Sequence, residues 1–180
     1  MAFFGTVNLI GTIFFIIYHM NYPTSLDNLA KAITIGVTIL FAVIIIAQFP
    51  VLPEAGWAPI LTTVGFLLIY GIAYAFRPIS YILTNEQLII HRPFADVKID
   101  RLQVKSVELL EEGKLRLSVR LFGVGGLFGY YGKFANSKLG NMTWYATRRN
   151  KAVLVLTMEN KKIILTPDEP ERFVLDYAAK

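Results

Sequence analysis

Two apolar runs, residues 32–51 and 58–76, stand almost back to back in a chain of 180 residues, and neither holds a formally charged side chain. Each has about the ~20 residues an α-helix needs to cross ~30 Å of hydrocarbon. Lipid offers peptide groups no hydrogen-bond partner, so such a run must satisfy its own N–H and C=O groups by coiling into a helix. The loop between the runs carries Pro50, Pro53, Glu54 and Gly56, which stop one helix and let the next begin. The expectation is a membrane hairpin that presents whatever follows it.

Charge divides the chain at the same place. Residues 1–76 hold one of the 18 Lys/Arg (Lys31) and two of the 13 acids (Asp27 and Glu54), so the remainder carries 17 against 11, a net +6. The expected organisation is a transmembrane region, residues 1–77, and a basic domain, residues 78–180, large enough for one modest core. Cysteine is absent, which removes disulfide frameworks and thiolate metal sites.

Residues 2–20 form a third apolar run, interrupted by Asn8. A cleaved secretory signal fits it poorly, since no Lys or Arg precedes it and no small-x-small site follows. An uncleaved helix there gives three spans; a partly buried or re-entrant segment gives two. Thr24 to Asp27 matches a capping box, which starts the next helix.

Positive residues are retained on the cytoplasmic side. The connector 49–57 has no Lys or Arg, whereas Lys31 precedes the second run and Arg77 and Arg92 follow the third. The basic domain is therefore expected in the cytoplasm, beneath the cell (inner) membrane. Trp57 at the outer edge, and Tyr74 with Arg77 at the inner edge, are the expected interface anchors.

Beyond Pro78 the pattern changes from helical to alternating. Residues 81–84 and 87–91 flank a polar turn and predict a hairpin; residues 97–100 and 105–110 predict further strands. Leu115, Leu117, Val119 and Leu121 alternate with Arg116, Ser118 and Arg120, the pattern of a half-buried strand. Residues 142–147 read as one more strand, and residues 153–157 and 162–165 form a second hairpin. Asp168, Pro170 and Glu171 predict the start of a closing helix, with Asp168 at its N-cap and Phe173, Val174 and Tyr177 on one face.

Residues 83–90, the glycine-rich run 122–134, Trp144 to Thr147 and residues 166–173 occur in an order that resembles a bacterial pleckstrin-homology (PH) domain family found fused to membrane helices. The resemblance covers most of residues 78–180. It implies two roughly orthogonal antiparallel sheets, a barrel or sandwich, closed by one C-terminal helix, and it implies no enzyme activity. Phosphoinositide-binding PH domains place Lys and Arg around the first hairpin loop. Here that loop is Asn85, Glu86 and Gln87, with Lys98 and Arg101 further on, so phosphoinositide recognition there is not expected.

The glycine-rich run itself is no dinucleotide fingerprint, because Phe128 stands where the third glycine belongs and no βαβ unit surrounds it. It is no Walker loop either, since Phe134 replaces the Ser/Thr after Lys133. It reads as a bent, glycine-loosened strand pair, or as a loop whose Leu127, Phe128, Tyr130 and Tyr131 meet the bilayer interface or a partner beside Lys133 and Lys138. Arg148 and Arg149 head the densest basic cluster, a solvated loop or a second lipid or acidic-partner contact. No metal-binding His spacing and no opposed carboxylate pair is present, so no cofactor and no catalysis are expected. A nucleic-acid groove needs basic and aromatic residues along one groove, which nothing in the sequence demonstrates, and no nucleic-acid partner is expected. The expected function is a non-catalytic binding or assembly module, meeting another protein or a second copy, with anionic-lipid recognition or an accessory role to a membrane transporter or enzyme as alternatives.

Overall fold

A computed structural model describes residues 20–51 and 56–179; the run at residues 2–19 lies outside them. The first described element is a strand, β1 (Met20–Pro23), ahead of both apolar helices. The helices are α1 (Asn28–Ala47) and α2 (Ala58–Ala75), about 30 and 27 Å long at ~1.5 Å per residue. Strands β2 (Ser80–Leu83), β3 (Gln87–His91), β4 (Val97–Asp100) and β5 (Val104–Leu109) follow. Next come β6 (Val119–Gly126), β7 (Gly129–Asn136) and β8 (Gly140–Ala146). The chain closes with β9 (Val153–Thr157), β10 (Lys162–Leu165) and the helix α3 (Pro170–Ala178).

The strands form two sheets, ordered β1-β2-β3-β4 and β5-β9-β10-β8-β7-β6. All ladders are antiparallel except β8 with β10, where Trp144 stands opposite Ile164 in a parallel pair. Tyr81, Leu83, Leu88 and Ile90 of the first sheet pack on Val153, Val155 and Leu165 of the second, and Phe173 of α3 closes the end of this core. Phe173 meets Tyr22 edge-on at 5.0 Å, and Val174 and Tyr177 share its packing face as the sequence predicted. The opposite face of the six-stranded sheet has its own core, in which the Trp144 ring stacks on Phe134 at 4.4 Å beside Tyr130, Met142 and Ile164.

Two expectations are corrected, and one strand was not foreseen: Met20 pairs with Leu83 and Tyr22 with Tyr81, so the four-stranded sheet takes its edge from residues that precede the helices. Four residues at the end of an apolar run carry no alternation of their own, and only their partner some sixty positions away defines them as a strand. The half-buried strand 115–121 is also not formed as read. Residues 112–117 are turns with Leu117 at φ 61°, and Leu115 alone of the alternating set is buried. The caps differ as well. Asp27, not Thr24, caps α1, accepting from the Ala30 N–H at 2.7 Å, and Glu169 stands at the N-cap of α3 while Asp168 is engaged elsewhere.

The two apolar helices are long enough to cross a membrane, and protein covers little of them. Ala30 is the buried residue of α1; Pro59 and Ala73 are those of α2. A core helix of a water-soluble domain would bury a whole apolar stripe. They touch one another through Phe41 and Phe66, stacked at 4.5 Å, and through the Thr38 and Tyr70 hydroxyls 2.8 Å apart. Because β1 feeds α1 and α2 feeds β2, and β1 pairs with β2, both ends of the helical hairpin leave from the same side of the domain.

Candidate functional site

The β6–β7 hairpin places its tip against the helices. At Gly126, whose φ is 130°, an added Cβ would stand 2.5 Å from Ile33 Cδ1, so only glycine lets the strand approach α1 this closely. Phe128 adopts φ 58°, a left-handed conformation that costs an ordinary residue ~1 kcal/mol or more. Packing holds it there. Its ring meets Tyr70 edge-on at 4.9 Å and Tyr74 at 5.5 Å, and its N–H donates to Thr34 Oγ1 at 2.9 Å. Arg77 lies over the Tyr74 ring, 4.5 Å from its centroid, and Tyr131 donates its phenol to the Ala73 carbonyl.

These contacts change the picture of the hairpin residues. Phe128, Tyr130 and Tyr131 are buried inside the chain and form the joint between hairpin and helices, not an open contact loop. Leu127 remains half-buried. Tyr130 donates to Asp27 Oδ1 at 3.3 Å beneath the Arg149 guanidinium, which sits 4.8 Å from its ring centroid. Burial, and then the Asp27 carboxylate, push the Tyr130 phenol up to about 12, so it stays a donor at any physiological pH. Of the expected anchors, Tyr74 and Arg77 belong to this joint, while Trp57 is exposed at the far end of α2.

The four basic residues singled out in the sequence do not form one patch. Arg148 is paired with Asp168, which also accepts from the Ser25 N–H at 3.0 Å and the Ser25 hydroxyl at 2.8 Å; burial lowers the Arg148 pKa from its ordinary value. Arg149 covers Tyr130. Lys138 is exposed at the β7–β8 turn, the end of β7 remote from the helices. Lys133, in mid-strand, donates to Thr143 Oγ1 at 2.8 Å.

Lys133 also lines a cavity of about 1040 Å³ between the β6–β7 hairpin and the helices. Its apolar wall comes from Ile33, Ile69, Ile72, Val124 and Leu127. Arg92, Arg120 and Lys133 line it as well, and no carboxylate does. Arg92 is held by its Nε donating to Ala95 O at 2.6 Å and by the Phe76 ring 5.3 Å away. Arg120 folds back over Gly125, where a side-chain carbon would touch its Nη1 at 3.5 Å. None of the three joins an ion pair among the described residues. Arg92 and Arg120 were missed from sequence because they lie 28 positions apart, with no local cluster to mark either. Among the described residues no group of His, Asp and Glu could hold a metal ion. The cavity offers apolar surface and uncompensated positive charge, not a nucleophile beside a base.

The remaining unusual surface is β6 itself. It is an edge strand, and Leu117 just before it, with Val119, Leu121 and Phe122 within it, are 61–87% exposed. A register shift between Arg120 and Phe122 leaves Leu121 as a bulge.

No curated protein and no solved structure matches the chain. A family model described as Bacterial PH domain matches residues 79–180, the stretch from β2 to the end and more than half of the chain, leaving β1, α1 and α2 outside it. The two sheets closed by α3, formed by those residues with β1 at the edge, agree with it, and the chain belongs to the bacterial PH domain family.

Proposed function

We propose that the chain is a membrane-anchored, non-catalytic assembly module, its helices crossing the cell membrane and its PH domain meeting a second copy of itself along β6 at the cytoplasmic face. The observation that carries this reading is the exposed, apolar edge of the six-stranded sheet. An edge strand offers unpaired N–H and C=O groups, and proteins ordinarily shield such edges with charge or cover. Here Leu117, Val119, Leu121 and Phe122 are left uncovered instead. Pairing β6 with β6 of a second copy about a two-fold axis satisfies those groups and buries the same patch from both sides. Val119 lies seven residues from the tip that touches the helices, roughly 23 Å at ~3.3 Å per residue, while Phe122, nearer the tip, also lines the cavity.

The native absence of cysteine gives a clean test in intact membranes. Of the single substitutions Val119→Cys, Leu121→Cys and Phe122→Cys, the one nearest the two-fold axis should yield disulfide-linked dimers under mild oxidation. Met158→Cys, equally exposed but on another strand's turn, should not. Leu121→Lys should abolish the dimer. Dimers that form equally from Met158→Cys, or none from any β6 position, would remove self-association along this edge.

A further inference from the structure

We infer that the cavity between the β6–β7 hairpin and α2 holds one phospholipid with an anionic headgroup, its acyl chains along Ile69 and Ile72 and its phosphate among Arg92, Arg120 and Lys133. Three features select this occupant. First, the cavity wall continues into the exposed face of α2: Ile69 and Ile72 are 57% and 58% exposed, so with the helices in a bilayer the cavity opens sideways onto the acyl chains. Second, three cations face it and no carboxylate does, so the occupant brings negative charge; near a membrane each Lys or Arg favours anionic lipid appreciably. Third, the chain's other candidate occupants lack that charge. Residues 1–19 contain no Asp or Glu, and a second copy paired along β6 would bring a further Arg120 toward the first.

The glycines explain how the space arises. Gly123, Gly125 and Gly132 line the cavity where side chains would otherwise fill it. Gly123 and Gly132 stand opposite one another at φ 110° and 121°, and a Cβ on either would come within 2.3 Å of the partner strand's carbonyl oxygen. The strand pair is thus both close and bare on this side. The site differs from the first-hairpin loop at residues 85–87, and it needs only the helices in a bilayer, not dimer formation through β6.

The full chain, extracted in mild detergent with equal amounts of phosphatidylglycerol and phosphatidylcholine, is examined by native mass spectrometry for retained lipid. The expected result is one phosphatidylglycerol per chain, favoured over phosphatidylcholine on the order of tenfold or more. The triple variant Arg92→Gln, Arg120→Gln, Lys133→Gln should lose that preference. Ile72→Trp should reduce retention with all three cations in place, and Lys138→Gln, outside the cavity, should leave it unchanged. Equal retention of the two lipids by the unaltered chain, or a preference that survives the triple variant, overturns the inference, as does equal sensitivity to Lys138→Gln. Leu121→Lys should leave the lipid count unchanged, so failure of the β6 dimer and failure of the lipid site are read separately.

Discussion

The phenol of Tyr131, on a strand of the PH domain, donates to the main-chain oxygen of Ala73 in the last turn of α2. That carbonyl is one of the four a helix leaves without an internal partner at its C-terminal end; the Arg77 N–H that would have reached it bonds Tyr74 O instead. A side chain from the domain therefore finishes the helix.

Tyr131→Phe keeps the ring and removes the donor, leaving a buried carbonyl unsatisfied. The expected cost is about 1–3 kcal/mol, read as a lower thermal midpoint of the full chain in detergent. Tyr74→Phe, whose ring packs on Phe128 but whose hydroxyl has no hydrogen-bond partner among the described residues, should stay within about 0.5 kcal/mol.

Asp168→Ala should release Arg148 and Ser25 together. The Arg148 side chain is 13% exposed and Asp168 33%, so this pair is only partly solvated, and losing one member should cost about 1–3 kcal/mol after allowance for solvent screening. Arg172→Ala, which breaks the solvent-exposed pairs with Glu169 and Asp176, should change the thermal midpoint far less. Hydrogen exchange should also speed up at residues 24–28 in the first variant and not in the second.

Gly132→Ala should disrupt the β6–β7 hairpin, because its Cβ would meet Phe122 O at 2.3 Å in a left-handed backbone conformation. A loss above about 2 kcal/mol, or failure to accumulate folded chain, is expected. Gly125→Ala meets only the flexible Arg120 side chain at 3.5 Å and should fold. Both substitutions add one methyl group, so comparing their melting curves reads the combined cost of the left-handed backbone and the Phe122 O contact at Gly132.

Alkaline pH should weaken the fold. The Tyr130 phenol is pushed up to about 12, first by burial and then by Asp27, while an unfolded tyrosine titrates near ~10. A folded value above the unfolded one gives stability that is complete below pH ~10 and is lost as pH rises through the folded value. The thermal midpoint should fall across that interval, and Tyr130→Phe should make the fall shallower. Tyr22, Tyr81, Tyr131 and Tyr177 are shifted upward too, so the slope is reduced, not removed.

Membrane orientation can be read with the same cysteine-free background. Trp57→Cys should react with an impermeant maleimide added outside intact cells, and Phe94→Cys, exposed on the domain, should react only once the membrane is opened. The reverse order would place the domain outside.

Much of the fold was legible because it rests on short-range pattern. The β2–β3 hairpin around Asn85 and Glu86, the β9–β10 hairpin and Pro170 at the start of α3 were read within a few residues of their bounds. What was not legible depends on distant partners. Nothing near Met20 announces that it will pair with Leu83. The alternation from Leu115 to Leu121 imitates a strand, yet the left-handed turn at Leu117 breaks it and the exposed side chains beyond have no cover. The sequence left Phe128, Tyr130 and Tyr131 between a bent strand pair and a contact loop, because exposure cannot be read from aromatic character; their cover comes from Tyr70, Tyr74 and Asp27. Arg92, just after β3, and Arg120, in β6, were hidden for the same reason; of the cavity cations Lys133 alone was singled out in the sequence.

The start of α1 is gripped from several sides: Asp27 caps the helix, accepts from the Arg149 N–H at 3.3 Å and donates its own N–H to Thr147 O at 3.2 Å, while Thr24 lies 2.6 Å from the Thr147 hydroxyl. A leash would let the domain sample a hemisphere beneath its anchor. A grip this short forbids that, so with the helices upright in lipid the domain drifts and spins in the plane but scarcely tips, and β6 stays at one altitude. A second copy pairing along β6, as proposed, would then meet it at the same depth without tilting.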